Sequence, residues 1–337
     1  MRLATYNVEW FTYLFDDDGQ PVDDDSWSSR RDVTKAQQLA ALGEVFQALD
    51  ADAVMVIEAP DTSPNRSGTR ALEVFAERFN LRARKALIGF ANNTQQEIAL
   101  LYDPDVLSAT HAPKDTKAAP RFDGTFEMDL NIDAKLDDVV YSKPPLEVEI
   151  TTKSGAALTL IGAHLKSKAP HGARNDADAM RISIANRRKQ LAQCIWLRAR
   201  VEEHLTAKTP LMVMGDFNDG PGLDQYEALF GRSGVEIVLG RGEDATEMQL
   251  HDPHAAAVIA QPFGARPTTS RFFVRHEKRF LNALLDYIMV SPDLVANAPT
   301  WHIWHPFDDP ACWGNDAVRQ ALLTASDHFP VTIDIDL

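Results

Sequence analysis

Cysteine is scarce in this chain of 337 residues, which has only two, Cys194 and Cys312. Two cysteines cannot build a disulfide framework, and the chain enters a strand pattern directly, without the basic and apolar segments of a secretory signal. No apolar run approaches the ~18 residues that a membrane span needs. These absences predict a cytoplasmic protein without a membrane span, in which both cysteines are small buried residues.

Positively charged residues are also relatively few. The chain has 34 Lys and Arg but 49 Asp and Glu, which gives a formal net charge of −15. This balance argues against a protein that binds nucleic acid through a general positive field, but it leaves room for a local patch. Residues 166–189 are locally basic, and arginines at 266, 271, 275 and 279 also favour an extended anionic substrate. The segment 166–189 either contacts substrate phosphates or forms a solvated helix face.

Three common phosphate-binding or catalytic motifs are missing. Neither G-x-G-x-x-G nor G-x-x-x-x-G-K-[ST] occurs, so nothing supports a glycine-rich loop that cradles phosphates. No G-x-S-x-G elbow occurs either, which argues against a serine nucleophile. A hydrolase built on this sequence would therefore use water as the attacking group.

The composition that is present, 45% hydrophobic and 25% charged, predicts a large core and a single domain over residues 1–337. Adjacent strand patterns mixed with helices favour mixed or antiparallel sheets over a doubly wound nucleotide fold. The predicted strands are 2–8, 53–58, 98–104, 145–151, 157–164, 211–216, 284–291 and a last one after 329, and the predicted helices are 33–49, 69–79 and 178–206.

Polar side chains recur beside the ends of these apolar strands. In "VMGDFNDGPG" (213–222), for example, an apolar strand stops on Asp216 and Asn218, which point the same way because a strand alternates its faces. Strand ends that face one direction would bring such side chains into one crevice. The full set is Asn7, Glu58, His164, Asp216, Asn218, Asp286, Asp327 and His328.

This set suits the hydrolysis of a phosphate ester. Oxygen ligands favour Mg²⁺, Mn²⁺ or Ca²⁺ over Zn²⁺. Two histidines can carry protons near neutral pH, and Asp286 can orient His328. A metal, an acid–base pair and an amide donor together supply the chemistry for attack by water. The candidate oxygen ligands are Asn7, Glu58, Asp327 and Glu9.

Six motifs, in order along residues 2 to 331, resemble those of the endonuclease/exonuclease/phosphatase superfamily, the group with the fold of deoxyribonuclease I. They are "TYNVEWF", "VIEAP", "LIGAHLKSK", "GDFND", "LLDYIMVS" and "SDHFPV". The combination of "GDFN" with "SDH" in this order is specific. The resemblance implies an α/β (α+β) fold, a four-layer α-β-β-α sandwich of two mixed, mostly antiparallel sheets.

The resemblance also implies which residues bind metal and position the water. Asn7, Glu58 and Asp327 would hold Mg²⁺, with Mn²⁺ or Ca²⁺ as substitutes. Asp216 would position or deprotonate the attacking water. Asn218 would donate a hydrogen bond to a phosphate oxygen.

A second group of residues is expected to move protons. His164 and His328 would flank the scissile phosphate, and Asp286 would pair with His328. In the deoxyribonuclease-like branch a glutamate orients the first histidine, and Glu97 is the candidate for this role, with Gln96 as its competitor.

Departures from the family pattern leave the substrate open. Ile57 stands where the family has Gln, and residues 170–187 form an insertion-like loop. Three functions are compatible with the fold: a nuclease acting on DNA or RNA, which the basic segments favour; a phosphatase or phosphodiesterase for a lipid or small-molecule phosphoester; and a catalytically inactive binding protein. The third predicts a broken site position, and none is broken. The sequence does not determine the oligomeric state.

Overall fold

Two mixed β-sheets packed face to face form the centre of the molecule. The structure is a computed structural model that describes residues 1–337 except 31, 130–134, 171, 224–226, 228–229, 243–244, 262–264 and 275–277. In the described part, the strands in chain order are β1 (Arg2–Asn7), β2 (Ala53–Ala59), β3 (Lys85–Ile88), β4 (Glu97–Tyr102), β5 (Leu107–His111), β6 (Phe126–Met128), β7 (Asp137–Val139), β8 (Leu146–Thr152), β9 (Ala157–His164), β10 (Leu211–Asp216), β11 (Ser270–Val274), β12 (Arg279–Ala283), β13 (Asp286–Val290), β14 (Thr300–Ile303) and β15 (Val331–Asp334).

Most neighbouring strands in the two sheets are antiparallel. One sheet has the order β14-β15-β1-β2-β4-β3 and the other has the order β13-β10-β9-β8-β5. The pairs β1-β2 and β9-β10 are parallel, and the other neighbours in both sheets are antiparallel. Strands β11 and β12 form a separate two-stranded hairpin, as do β6 and β7.

Helices cover the outer face of each sheet. Three helices, α1 (Lys35–Leu49), α2 (Gly68–Arg78) and α8 (Asp316–Ala325), pack on the six-stranded sheet. Three others, α3 (Asp176–Thr206), α4 (Gly234–Leu239) and α5 (Pro253–Ala260), pack on the five-stranded sheet. Helix α1 begins at a capping box, in which the Thr34 side chain and the Gln37 side chain each accept from the other residue's backbone N–H. Two short helices, α6 (Pro292–Val295) and α7 (Pro310–Gly314), complete the set in the described part of the chain.

An apolar core fills the space between the two sheets. Met55 of one sheet and Leu160 and Met214 of the other belong to this buried cluster. Val54 and Val56, which flank Met55, belong instead to the core under the helices. This alternation follows from the period of two in a β-strand, and it explains why the central strands are apolar on both faces.

Strand direction gathers the polar residues at one edge of the sandwich. The parallel strands β9 and β10 end there, at His164 and Asp216. Strand β13 runs antiparallel to β10, so its first residue, Asp286, lies at the same edge. Strand β15 is antiparallel to β1, and Asp327 and His328 immediately precede it. The site therefore combines the ends of some strands with the beginnings of others.

The four-layer α-β-β-α sandwich with mostly antiparallel sheets confirms the predicted fold class. Every predicted strand and helix occurs, with its first residue displaced by two positions or fewer. Strands such as β3 and β6 were not predicted, because they are short and only partly buried. No helix in the described ranges combines the length and apolar character needed to cross a bilayer. The single domain over residues 1–337 stays a prediction.

Candidate active site

Three of the predicted site residues stand side by side on the five-stranded sheet. Asp216, the last residue of β10, lies opposite His164 of β9 and opposite Asp286 of β13 in the two strand ladders. Residues in register on neighbouring strands project from the same face of a sheet. Asp216 Oδ2 is 3.5 Å from His164 Nε2, and all three side chains are buried.

The six-stranded sheet brings the predicted metal ligands to the same edge. Asn7 ends β1, and Glu58 lies beside it at a register shift in β2. The backbone N–H of Trp10 donates to Glu58 Oε2 at 2.9 Å, and that of Glu9 donates to Asn7 Oδ1 at 3.1 Å. The backbone N–H of Asp327 donates to Glu9 Oε2 at 3.1 Å. One short turn thus ties the three predicted ligands together.

Left-handed backbone is concentrated around these residues. Glu9, Trp10, Glu58 and Asn218 have φ values of 45°, 61°, 61° and 48°. Such conformations cost about 1–3 kcal/mol each for non-glycine residues and persist only where the surroundings fix them. An ion pair between Glu9 and Arg30 fixes the turn. Strain of this kind is typical of functional sites.

Asp216 connects the two sheets. Its Oδ2 accepts from Asn7 Nδ2 at 3.0 Å and from Asn218 Nδ2 at 3.1 Å, and its Oδ1 accepts from the Asn218 N–H at 2.7 Å. Asn218 Nδ2 also donates to the Leu165 carbonyl at 3.1 Å, so Asn218 reaches a phosphate oxygen only by exchanging one of these bonds. Burial, reinforced by Asp286, raises the pKa of Asp216 to about 6.

The two histidines have opposite protonation preferences. His328 Nδ1 lies 2.8 Å from Asp286 Oδ2, which also accepts from Thr269 Oγ1 at 2.8 Å. Burial acts to lower the pKa of His328, but the neighbouring carboxylates, Asp286 first, raise it well above its usual value. Burial and then the charge of Lys143 hold the pKa of His164 well below its usual value. These directions favour the imidazolium form of His328 and the neutral form of His164.

These side chains line one open cleft of about 630 Å³. Two predicted residues lie behind its wall: Asp286 is buried beneath His328, and Glu97 is buried in β4. The predicted residues that line the cleft are Asn7, Glu9, Glu58, Gln96, His164, Asp216, Asn218, Asp327 and His328. Residues that were not assigned a role from the sequence also line it, among them Trp10, Lys143, Phe272 and Leu285. Lys166, from the basic segment 166–189, lines it as well.

The sequence from residue 4 to residue 328 matches the model of the Endonuclease/Exonuclease/phosphatase family. The chain belongs to this family. This match confirms the predicted relationship. Members of the family are phosphoester hydrolases. A comparison with curated proteins finds no match.

Solved structures of the same fold include nucleic-acid enzymes. A 3'-5' exonuclease, NExo, from Neisseria meningitidis is 14% identical and covers 100% of both chains with a TM-score of 0.51. The 3' phosphatase NExo from Neisseria, bound to a product DNA hairpin, is 15% identical over 100% of both chains, with a TM-score of 0.50. A humanized TDP2 from D. rerio is 12% identical and covers 99% of this chain and 98% of its own, with a TM-score of 0.50. At these identities the likeness establishes the fold alone.

Lys143 is a cleft residue of this family member that the sequence analysis missed. Its Nζ lies 2.9 Å from His164 Nε2 and 3.0 Å from Gln96 Oε1. Burial lowers the pKa of Lys143 to about 8, against the opposing effect of Glu58. Lys143 precedes β8, which is antiparallel to β9, so it lies at the same edge as His164. Examining the residues before antiparallel strands would have found it.

Glu97, the predicted partner of His164, makes other contacts. Its carboxylate accepts from Asn92 Nδ2 at 2.7 Å, and burial raises its pKa to about 7. Among the described residues no hydrogen bond joins Glu97 to His164, whose buried Nδ1 has no partner. Gln96, the competing candidate, is linked to His164 through Lys143. The orienting role of Glu97 stays a prediction.

Part of the basic segment 166–189 supports the catalytic loop from behind. Arg187 Nη1 lies 3.0 Å from Asp219 Oδ1, and Lys168 Nζ pairs with the same oxygen at 2.5 Å. Arg187 and Asp219 are both buried. Gln190 of the same helix donates to the Asn218 carbonyl at 2.9 Å. The interpretation of a solvated helix face is therefore wrong at Arg187, which instead positions the loop after β10.

The residues predicted to bind a metal fit a hard divalent cation. Asn7, Glu58 and Asp327 contribute oxygen atoms, the donors that Mg²⁺, Mn²⁺ and Ca²⁺ prefer. Burial, with Glu58 as a further cause, raises the pKa of Asp327, because buried negative charges repel one another. A dication would offset this crowding. Glu9, the further candidate, already pairs with Arg30.

A second group could also hold a metal. Among the described residues, ligand atoms of Asp216, Asp286 and His328 lie within 4.8 Å of one another. Most of these atoms already serve internal hydrogen bonds: Asp286 Oδ2 pairs with His328 Nδ1, and both oxygens of Asp216 accept from Asn218. This group is thus better suited to proton transfer than to metal binding.

Proposed function

We propose that this chain is a divalent-metal-dependent phosphodiester hydrolase that cleaves nucleic acid with an activated water molecule. The observation that carries the proposal is convergence: His164, Asp216 and His328 line the same cleft as Glu58 and Asp327. These residues come from segments far apart in the chain, and their meeting supplies a base, an acid and hard ligands in one place. Intact site positions argue against an inactive binding protein.

The metal in this proposal is Mg²⁺, held by Asn7, Glu58 and Asp327, with Mn²⁺ or Ca²⁺ as substitutes. When bound, the ion would polarise a phosphoryl oxygen and offset the charge that develops there. The turn at Glu9 and Trp10 keeps the ligand oxygens in place through the backbone hydrogen bonds described above.

Asp216 is the proposed general base for the attacking water. Hydrogen bonds from Asn7 and Asn218 fix the orientation of its carboxylate. A pKa of about 6 leaves Asp216 ionised at neutral pH yet basic enough to take a proton. In this role Asn218 acts first on Asp216, and its expected contact with a phosphate oxygen stays a prediction.

His328 is the proposed general acid for the leaving oxygen. Asp286 holds the proton on Nδ1 and favours the imidazolium, so Nε2 can donate its proton as the P–O bond breaks. His164 stays neutral and lies beside the Lys143 ammonium. Together, these two residues would stabilise negative charge on the phosphate. Opposite pKa shifts in neighbouring groups are typical of acid and base assignments.

Nucleic acid is the preferred substrate class because an apolar cavity adjoins the cleft. This cavity of about 370 Å³ shares Asn218, Phe272 and Leu285 with the cleft and is also lined by Leu281 and Ala283. An apolar space beside a phosphate site suits a base or a sugar. NExo, which has the same fold, is described as an exonuclease and as bound to a product DNA hairpin.

A substrate panel tests the proposal. Plasmid DNA, an oligoribonucleotide, bis-p-nitrophenyl phosphate, p-nitrophenyl phosphate and a phosphatidyl substrate would each be assayed with Mg²⁺, Mn²⁺ and EDTA. We expect cleavage of the nucleic acids and of the diester, and inhibition by EDTA. Cleavage of only the phosphatidyl substrate or only the monoester would favour the lipid or small-molecule alternative.

Matched variants connect this activity to the cleft. We expect Asp216→Asn to abolish metal-dependent cleavage while its melting temperature stays within a few degrees of the wild type. His164→Ala and His328→Ala should each lower turnover by at least ~100-fold. Unchanged turnover in Asp216→Asn would remove this residue from the mechanism. A cytoplasmic location stays a prediction.

A further inference from the structure

An exposed strip of aromatic rings and arginines runs along the β11-β12 hairpin and the neighbouring loop. Phe273 and Phe280 are each 51% exposed, Phe307 is 42% exposed and Trp313 is 55% exposed. Large exposed apolar patches on a folded protein commonly mark interaction sites. We call this surface the aromatic strip, and it comprises Arg271, Phe273, Phe280, Phe307, Trp313 and Arg319.

Contacts between neighbouring side chains make the aromatic strip continuous. Phe273 and Phe280 are opposite each other in the hairpin register, with ring centroids 5.3 Å apart. The Arg271 guanidinium lies 4.0 Å from the Phe280 centroid and 5.4 Å from that of Phe307. Phe307 and Trp313 follow at 6.4 Å. The strip therefore alternates rings with a cation rather than presenting a uniform apolar face.

The cation within the strip is open to an anionic partner. Among the described residues, no carboxylate lies within 4 Å of Arg271, whose side chain donates only to Asn282 Oδ1 at 3.3 Å. At the far end, Arg319 lies 4.6 Å from the Trp313 centroid and also pairs with Asp316. A guanidinium that pairs with no carboxylate of the described residues thus lies between exposed rings, a local feature that the net charge of −15 conceals. Arg275 is outside the described residues.

The aromatic strip begins at the candidate active site. The Arg271 N–H donates to the Asp327 carbonyl at 2.7 Å, and Ser270 forms a β-bridge with His328. Side chains alternate along β11, so Phe272 faces the catalytic cleft while Arg271 and Phe273 face the strip. The backbone of β11 therefore joins the strip directly to the catalytic motif at Asp327 and His328.

We propose that the aromatic strip binds a single-stranded segment of nucleic acid that extends from the cleft. Bases stack on exposed rings, and arginine adds charge and cation–π contacts, whatever the base sequence. A single strand offers the complementary alternation of planar bases and anionic phosphates. The proposal deepens the nuclease assignment, on which it rests, because it requires a substrate with several unpaired nucleotides beside the cleaved bond.

Length-dependent binding tests the proposal. Fluorescence anisotropy in EDTA would measure the affinity of the full chain for labelled dT20, for dT3, which reaches only the cleft, and for a 20-base-pair duplex. The variants are Phe273→Ala/Phe280→Ala and, on a different element, Trp313→Ala. Trp27→Ala is the control, since Trp27 is 68% exposed but takes part in none of these ring contacts.

The expected result is a dT20 affinity at least about tenfold weaker in the double variant and reduced in Trp313→Ala, with dT3 unaffected. Trp27→Ala should bind dT20 like the wild type. Unchanged dT20 binding, or equal losses for dT20 and dT3, would overturn the proposal. Binding of the duplex as tightly as dT20 would also overturn it. So would variants that lose binding to phosphatidylserine vesicles but not to dT20, or variants that are monomeric where the wild type is a dimer.

The nuclease assignment is tested separately from the aromatic strip. If the wild type fails to hydrolyse bis-p-nitrophenyl phosphate with Mg²⁺ or Mn²⁺, the proposed function fails. The anisotropy comparison uses no metal and no catalysis, so it decides the strip in either case. Circular dichroism melting of each variant ensures that a loss of binding does not reflect unfolding.

Discussion

Lys143 offers the most direct test of how the cleft handles phosphate charge. Its ammonium lies 2.9 Å from His164 Nε2 and 3.0 Å from Gln96 Oε1, so it is held beside His164, which is proposed to stabilise charge on the phosphate. We expect Lys143→Met to lower kcat/KM at neutral pH by about 10²- to 10³-fold. The basis is that removing one pre-positioned donor from developing negative charge typically costs about 2.7–4 kcal/mol.

The pKa of Lys143 provides a second readout. Because burial lowers this pKa to about 8, the wild type should lose the ammonium charge, and with it activity, as the pH rises through that value. Lys143→Arg keeps its charge, since guanidinium is not deprotonated in proteins. Its activity should therefore persist at higher pH. In Lys143→Met the pKa of His164 should rise, because the lysine charge is one cause of its depression.

The assay is steady-state hydrolysis of bis-p-nitrophenyl phosphate with Mg²⁺, at constant ionic strength, from about pH 6 to about pH 10. Lys153→Met is the matched control, because Lys153 is exposed and lies just beyond the other end of β8. The reasoning is refuted if Lys143→Met loses less than about tenfold. It is equally refuted if wild type and Lys143→Arg lose activity at the same alkaline pH.

Three further predictions concern the residues around the cleft and the core. Asp286→Asn should let the pKa of His328 fall, so that less of this histidine is protonated at alkaline pH. Turnover should therefore drop by about 100-fold at pH 8 but by less at pH 6. A pH profile parallel to that of the wild type would contradict this. Burial lowers the pKa of His204 to about 4, below its value of ~6.5 in the unfolded chain. The neutral, buried imidazole therefore makes its full contribution to the free energy of unfolding above about pH 6.5. As the pH falls toward 4, up to about 3 kcal/mol of this free energy is lost. In urea unfolding, His204→Asn should weaken the dependence of the free energy of unfolding on pH. If that pH dependence is unaltered in the variant, it arises from other groups. Arg187→Met should lower the free energy of unfolding by about 1.5–3 kcal/mol, because the buried carboxylate of Asp219 loses one of its two cationic partners and keeps Lys168. The exposed Arg188→Met should change it by less than about 0.5 kcal/mol, and similar effects of both variants would mean that the ion pair is not the cause.

Local pattern was sufficient to identify the strands and most of the polar residues at their ends. A β-strand has a period of two and its apolar run has a definite end, so "LMVMGDFN" marks both the strand and the side chains that leave it. Asp216 and Asn218 could be placed from these eight residues alone. The order of six such motifs then sufficed to predict the family.

Cations were harder to place, because a lysine or an arginine has no local signal for where its head group lies. Arg187 belongs to the most basic segment of the chain, yet it is buried against Asp219. Lys143 stands in an unremarkable loop, yet it reaches His164. Both outcomes depend on partners 21 or more positions away. Arg271 packs on Phe280 within its own hairpin, but it meets Phe307 only because that hairpin lies against the loop after β14.

The sequence by itself determined which chemical groups this protein brings to its strand ends, because strand periodicity and motif order are local properties. Only the tertiary structure decided what state those groups adopt. His164 and His328 are the same residue type at similar strand ends, yet burial beside Lys143 keeps one neutral and a bond to Asp286 keeps the other charged. The pKa of a histidine depends on its desolvation and on nearby charges, and residues that are distant in the chain determine both.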